Sequence, residues 1–382
     1  RNKDRSYTRP ADITTEGLYR EYSGFAASDT TNNIANLHWK ELFIDPLLQT
    51  YIETGLEQNT DLRITQLRVD QAQAALSAAK LSYLPSLSVS GQGGVNKAEG
   101  GNGVWTHSEM LSASWEIDFF GKIRNANAQV RAQMEQSVDY RQAVQSRLIS
   151  TIAINYHTLV MLRKQLGIAQ QTLTNWGENV RTLKAMKSAG MTTEAAVSQA
   201  EANYYQVEAS VTDLKQQITE LENSFSALLG NVSQGIPVNT DSDYGLSLPV
   251  LSVGVPMQLL SNRPDVRQAE SGLKYAFYGT NAARAAFYPS ITLGGNAGWS
   301  NSVGTAITNP AQFLASAVGS IVQPLFSQGR LTAQLRIAKA QQEEATLVFQ
   351  QTLLDAGVEI NNVLSACQTA RSKSHNYSQQ IE

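Results

Sequence analysis

The sequence predicts an α+β membrane protein. Four strands would supply part of a β-barrel shared between copies of the chain, and long antiparallel coiled-coil helices would continue from them. Three observations lead there. A helix–proline–strand unit occurs twice at fixed spacing. Long proline-free stretches carry heptads, and the segments between helices alternate polar and apolar residues over the length of a membrane-spanning strand.

The repeat comes first because it organises the rest. Asp61 to Pro85 and Asp265 to Pro289 are both steps of 24 residues, with Arg63/Arg267, Ala79/Ala283, Ser86/Ser290, Leu87/Ile291 and Gly91/Gly295 in register. A second block follows each proline. FGKIRNANAQVRAQME begins near Gly121 and QGRLTAQLRIAKAQQE near Gly329, and Gly121–Gln133 and Gly329–Gln341 are both steps of 12. The boundaries that result are an N-terminal arm and equatorial segment over 1–58, repeat one over 59–230, a linker over 231–258 and repeat two over 259–382. Each repeat reads helix, proline, strand, turn, strand, long helix. Pro85 and Pro289 mark the helix-to-strand junction, because proline cannot continue a helix interior.

In repeat one the first strand pair is expected at about 86–95 and 110–120, and a helical hairpin at 122–187 and 192–229. No residue forces a break after Lys122, and 66 residues of helix reach roughly 100 Å. Ile152, Leu159, Leu166, Leu173 and Val180 recur every seven, with Leu148, Leu162, Trp176 and Leu183 on the partner position. The returning helix is cleaner: Val197, Tyr204, Val211, Ile218 and Phe225 form one series, Ala200, Val207, Leu214, Leu221 and Leu228 the other. At the tip, Gly190 suits a left-handed C-cap and Thr192 or Thr193 the N-cap of the next helix.

The second strand alternates without error. Leu111, Trp115, Ile117 and Phe119 fall on one side, Ser112, Ser114, Glu116 and Asp118 on the other. In repeat two the strands are expected at about 290–299 and 313–326, with a long helix from 329. Ile291, Leu293 and Trp299 are apolar, but Leu314 and Val318 fall on the side that should be polar. Solvated hairpins on a soluble core would alternate equally well. Helices of roughly 100 Å running directly out of the strands favour the membrane reading. The apolar side would then face lipid and the polar side a wet lumen. Four strands cannot close a barrel, and open edges in lipid are forbidden, so chains must share one: two give eight strands, three twelve, four sixteen.

Composition excludes several function classes. Charged residues are 16% of the chain and the net charge is −3, which argues against nucleic-acid binding. The single cysteine, Cys367, permits no internal disulfide and no cysteine-based metal site, and the four histidines are scattered, so no cofactor or metal is expected. No apolar run reaches the ~18–20 residues of a membrane helix, which says nothing of barrel strands. Glu116 and Asp118 could serve as an acid–base pair, but no nucleophile, metal cluster or phosphate loop accompanies them, and lumen charge is the better reading. DFFG stands without the rest of a kinase signature. Arg263-Pro264-Asp265 reads as a helix start.

The stretch LLSNRPDVRQAESGLKYAFYGTNAARAAFYPSITLGGNAG resembles the second-repeat signature of the outer membrane efflux protein (TolC-like) family. YTRP at 7–10, WKELFIDPLLQTYIETGLEQNTDLR at 39–63 and WEIDFFGKIRNANAQV at 115–130 resemble the channel lipoproteins of tripartite multidrug pumps. The resemblance runs essentially end to end. It implies a homotrimer with a twelve-stranded barrel in the outer membrane of a Gram-negative bacterium, extended through the periplasm by a helical tunnel. It implies passive export of small toxic compounds and no enzyme activity. Gly190, Met191, Thr192 and Thr193 would meet a periplasmic adaptor protein and an inner-membrane pump. The acylated cysteine usual before the YTRP-like motif is not in the sequence, and the second hairpin tip would fall near 398, beyond Glu382. Two alternatives stand beside the efflux duct: the duct of a type I protein secretion system, and a non-conducting periplasmic coiled-coil adaptor.

Overall fold

The computed structural model describes residues 6–11, 13, 17–18, 38–97, 103–240, 262–303 and 306–381. Most of the expected linker at 231–258, and much of the N-terminal arm, lie outside them. The elements are α1 (Trp39–Leu42), α2 (Pro46–Gln58), α3 (Thr60–Leu81), β1 (Ser86–Asn96), β2 (Val104–Ile117), α4 (Lys122–Ser188), α5 (Glu194–Leu228), α6 (Pro264–Ala285), β3 (Ser290–Val303), β4 (Ala306–Val322) and α7 (Arg330–Ile381).

The duplication is visible in the junctions. The helix before each hairpin ends a few residues ahead of its proline in a tight turn, with Leu84 N–H donating to Leu81 O and Tyr288 N–H to Ala285 O. Each proline then sits directly before its strand. At the next junction Gly121 and Gly329 have φ of 78° and 77°, so each strand turns into its long helix through a left-handed residue that favours glycine. The carbonyls of Tyr83 and Phe287 are also equivalent. They accept from Trp115 Nε1 and Gln323 Nε2, both at 2.9 Å.

The strands form one antiparallel sheet in the order β1-β2-β3-β4. Several strand boundaries differ from the sequence expectation, and β3 runs on to Val303. β2 ends at Ile117, not near 120, because Asp118 leaves the strand to cap α4: its carboxylate accepts from Ile123 N at 3.1 Å and Arg124 N at 2.7 Å. Asp118 is therefore not a strand residue facing a lumen, and Phe119, in the turn beyond it, is not a strand residue facing lipid. β2 begins earlier, at Val104, because the glycine-rich Gly91–Gly94 stretch pairs with it throughout. β4 begins at Ala306 rather than 313 and stops at Val322. Pro310 is tolerated because it lies on an edge strand opposite a register irregularity between Ser300 and Ser302.

The chain divides into two units. One contains the sheet, α6, α7 and residues 68–140; the other contains 22–67 and 141–255, with α4 running from the first into the second. In the sheet-bearing unit the core is Val266, Leu273, Phe349, Leu353 and Ala356, with Tyr7, Ile13 and Leu18 packed on it. The YTRP segment is held electrostatically. Arg9 makes a bidentate pair with Glu270 at 2.9 and 2.8 Å, and Tyr7 donates to the same carboxylate. Arg263 pairs with Asp265 and with Glu359 of α7, and Arg267 with Asp139 at 3.0 Å. Burial pushes the Asp139 carboxyl up despite Arg267.

The second unit is built on the hairpin of α4 and α5. Leu148, Ile152, Leu159 and Leu162 of α4 and Val197, Ala200, Val211, Ile218 and Phe225 of α5 are buried, which is the predicted seam. Three ion pairs fix its direction: Arg163–Glu222, Lys184–Glu201 and Lys187–Glu194. As one number rises the other falls, so the helices are antiparallel. A buried network that no sequence pattern announces closes this unit: Tyr156 donates to Asp45 Oδ2 at 2.5 Å, Asn239 N–H donates to the Tyr156 oxygen, and Asp45 caps α2 at Leu47 N.

Candidate functional site: a two-faced sheet and a hairpin tip

Cross-strand partners in a sheet share a face, so register alone sorts the side chains. The pairs Leu87–Ala113, Val89–Leu111 and Val95–Trp105 link β1 to β2. Trp115–Leu293, Ile117–Ile291 and Leu111–Ala297 link β2 to β3. Trp299–Phe313 and Ile291–Ile321 carry the same face onto β4. Six of the residues predicted for an apolar side therefore do share one face: Leu111, Trp115, Ile117, Ile291, Leu293 and Trp299. Ser112, Ser114 and Glu116 share the other with Ser88, Ser90, Thr292, Asn296, Ser316 and Ser320. Glu116 pairs with Lys122 at 2.8 Å. Leu314 and Val318 do interrupt the polar face, as the sequence suggested, and Gly298 lies between Met110 and Leu314 in one cross-strand row. A Cβ on Gly298 would meet Glu109 O at 1.9 Å, so the backbone there admits only glycine.

The apolar face is bounded by aromatics at both ends. At the helix end, Phe120 stacks on Tyr288 with ring centroids 5.0 Å apart and packs edge-on against Phe119, while Trp115 is tied to Tyr83. At the far end Trp299 meets Phe313 at 5.3 Å, and Trp105 is exposed on the same face. Sequence reasoning found Trp115 and Trp299 but missed Trp105, Phe313, Val89 and Ile321. In the glycine-diluted β1 and in β4 the alternation is too sparse to assign faces without a partner strand.

The hairpin tip is a Schellman turn. Gly190, with φ of 72°, donates to Lys187 O, and Met191 N–H donates to Met186 O. Thr193, not Thr192, caps α5 by accepting from Ala196 N. Glu201 beside Lys184 raises that ammonium's pKa. Met191 is exposed. Among the described residues no group of His, Cys, Asp and Glu is arranged to hold a metal, and no helix is long and apolar enough to cross a membrane.

Against known proteins, the family described as outer membrane efflux protein matches residues 51–231 and 255–382. The chain belongs to that family. It is 28% identical over 368 residues to the cation efflux system protein CusC of Escherichia coli, covering 95% of the chain and 79% of CusC. It is 28% identical over 351 residues to the toluene efflux pump outer membrane protein TtgC of Pseudomonas putida, covering 87% and 70%. Its fold superposes on the open-state crystal structure of the Neisseria gonorrhoeae outer membrane channel MtrE with a TM-score of 0.86, 25% identity, and coverage of 98% and 84%. As a family member the chain is an outer-membrane protein, and the four strands within a mostly helical chain are the pattern it shares with those channels.

Proposed function

We propose that this chain is the outer-membrane exit duct of a tripartite efflux system, conducting small toxic compounds passively. The observation that carries the reading is one largely apolar face that the register continues across all four strands, opposite a mostly polar one and with aromatics at both ends; the exceptions include Glu109 and His107 on the first face, and Leu314 and Val318 on the second. Tyr288 and Trp299 are eleven residues apart. At ~3.3 Å per residue and a tilt of ~40°, that is roughly 28 Å along a membrane normal, close to the ~25 Å apolar band of outer-membrane barrels. On this reading Leu111, Trp115, Ile117, Ile291, Leu293 and Trp299 face lipid, Ser112, Ser114 and Glu116 face a water-filled lumen, and Pro85 and Pro289 stand where barrel becomes helix.

Both sheet edges, β1 and β4, lack a strand partner among the described residues, so further copies must close the barrel. Three copies give twelve strands. The long helices supply the periplasmic wall of the duct, and Gly190–Thr193 receive a periplasmic adaptor, through which an inner-membrane pump is engaged. A non-conducting coiled-coil adaptor has no use for an apolar sheet face rimmed by aromatics. Purified full-length protein in planar bilayers should give stable conductance steps. Protein that stays soluble without detergent and gives no conductance would refute the duct.

A further inference from the structure

In the sheet-bearing unit, a cavity of about 460 Å³ opens between α3, the first turns of α4, α6 and the YTRP segment. Its lining is unlike the rest of this weakly charged chain. Lys80, Arg124, Arg131 and Lys274 surround it with one carboxylate, Glu135, and three tyrosines, Tyr7, Tyr83 and Tyr278. Lys274 reaches Glu135 at 3.5 Å and lies 5.9 Å from the centre of the Tyr7 ring. Lys80 and Arg131 make no ion pair with any described residue, so positive charge is left over. Arg124 stands in the first turn of α4, where the helix dipole disfavours a cation.

A second observation is independent of the charge. Asn127 lines the same cavity, and its Oδ1 is buried with no hydrogen-bond donor. Its amide orientation is fixed, because Nδ2 donates to the Ile123 carbonyl at 3.1 Å, which can only accept, and to Ser82 Oγ at 3.2 Å. A buried acceptor without a donor is uncommon and calls for a partner. Sulfate, with no proton to donate, would serve the cations and leave this oxygen unsatisfied. A phosphate diester that also carries hydroxyl donors would serve both.

We propose that this cavity binds the headgroup of a phosphatidylglycerol-type lipid. The phosphate would lie among Lys80, Arg131 and Lys274, and a glycerol hydroxyl would donate to Asn127 Oδ1. The source of the headgroup rests on the duct reading above, which sets the helix end of the sheet at the membrane surface. Tyr83 lies two residues before Pro85, and Arg124 seven residues after the end of β2. Cationic side chains with tyrosines at that level are suited to anionic headgroups.

The test uses the full chain in detergent, titrated with phosphatidylglycerol or phosphatidylcholine and read by native mass spectrometry. Phosphatidylglycerol should be retained in preference. The double variant Lys80→Gln/Arg131→Gln should lose about thirtyfold in affinity for it, at ~1 kcal/mol per cation near an anionic surface. The charge-matched control Arg336→Gln/Lys339→Gln, on α7 outside the cavity, should lose none. Equal loss in both variants, or none in the first, overturns the site. Displacement of the lipid by millimolar glycerol phosphate would overturn the lipid assignment and give the cavity to a soluble phosphate ester. Bilayer conductance recorded on the same preparations separates these outcomes from failure of the duct reading.

Discussion

Asp118 shows how far a residue can be read from its pattern. The alternation of β2 runs into it without a break, so parity makes it a polar strand residue. The backbone has already left the strand, and the carboxylate closes the first turn of a 67-residue helix. The period-two pattern and the unpaired amides of the helix start are both served by an aspartate at this position, and only tertiary structure chooses. The two roles predict different outcomes. Asp118→Ala should lower stability by about 1 kcal/mol, as loss of an N-cap does, and Asp118→Asn should keep most of it. Both variants should leave ion selectivity in bilayers unchanged. Urea unfolding and reversal potentials check this, and a selectivity change in Asp118→Asn with unaltered stability would return the residue to the lumen. Other contacts had no sequence signal at all. Tyr156 and Asp45 are 111 residues apart, and nothing in their neighbours announces that they meet.

At the scale of elements the sequence was more legible, because helices and turns are local. The heptads located the α4–α5 seam, and Gly190 was recognisable as a left-handed cap since few other residues tolerate that conformation. The strand ends were less so. The early part of β2 and β4 is defined by partners in other strands, and β4 also contains a proline that single-strand reasoning treats as a stop. The tip yields a prediction of its own scale. Gly190→Val places a β-branched residue at a φ of 72°, which costs about 1–2 kcal/mol. That strain should be relieved by local fraying. Hydrogen exchange over 184–196 should quicken by roughly five- to thirtyfold, and amides around Phe225 should be unaffected. If exchange quickens equally at both places, the tip is not an independently fraying element, and the hairpin opens only as a whole.

For the whole molecule, the question is how many copies close the sheet. β1 and β4 are its two edges, and the strand number is even, so β4 of one copy meets β1 of the next antiparallel. Directly opposed residues in such a pair lie within the 4.4–6.8 Å between Cα atoms that a disulfide spans. Ser88 of β1 and Ser316 of β4 share the polar face, so cysteines there point to the same side. In a Cys367→Ser background, Ser88→Cys should be combined in turn with Ser316→Cys, Val318→Cys and Ser320→Cys to sample the register. One combination should oxidise efficiently in membranes. Denaturing gels should then show monomer, dimer and a covalently closed trimer, with nothing larger, because twelve strands leave no edge. A ladder ending at the dimer would mean eight strands, and one ending at the tetramer sixteen. Monomer alone in every combination would mean that β1 and β4 never meet between copies, and the shared barrel would have to be abandoned even if each chain enters the membrane.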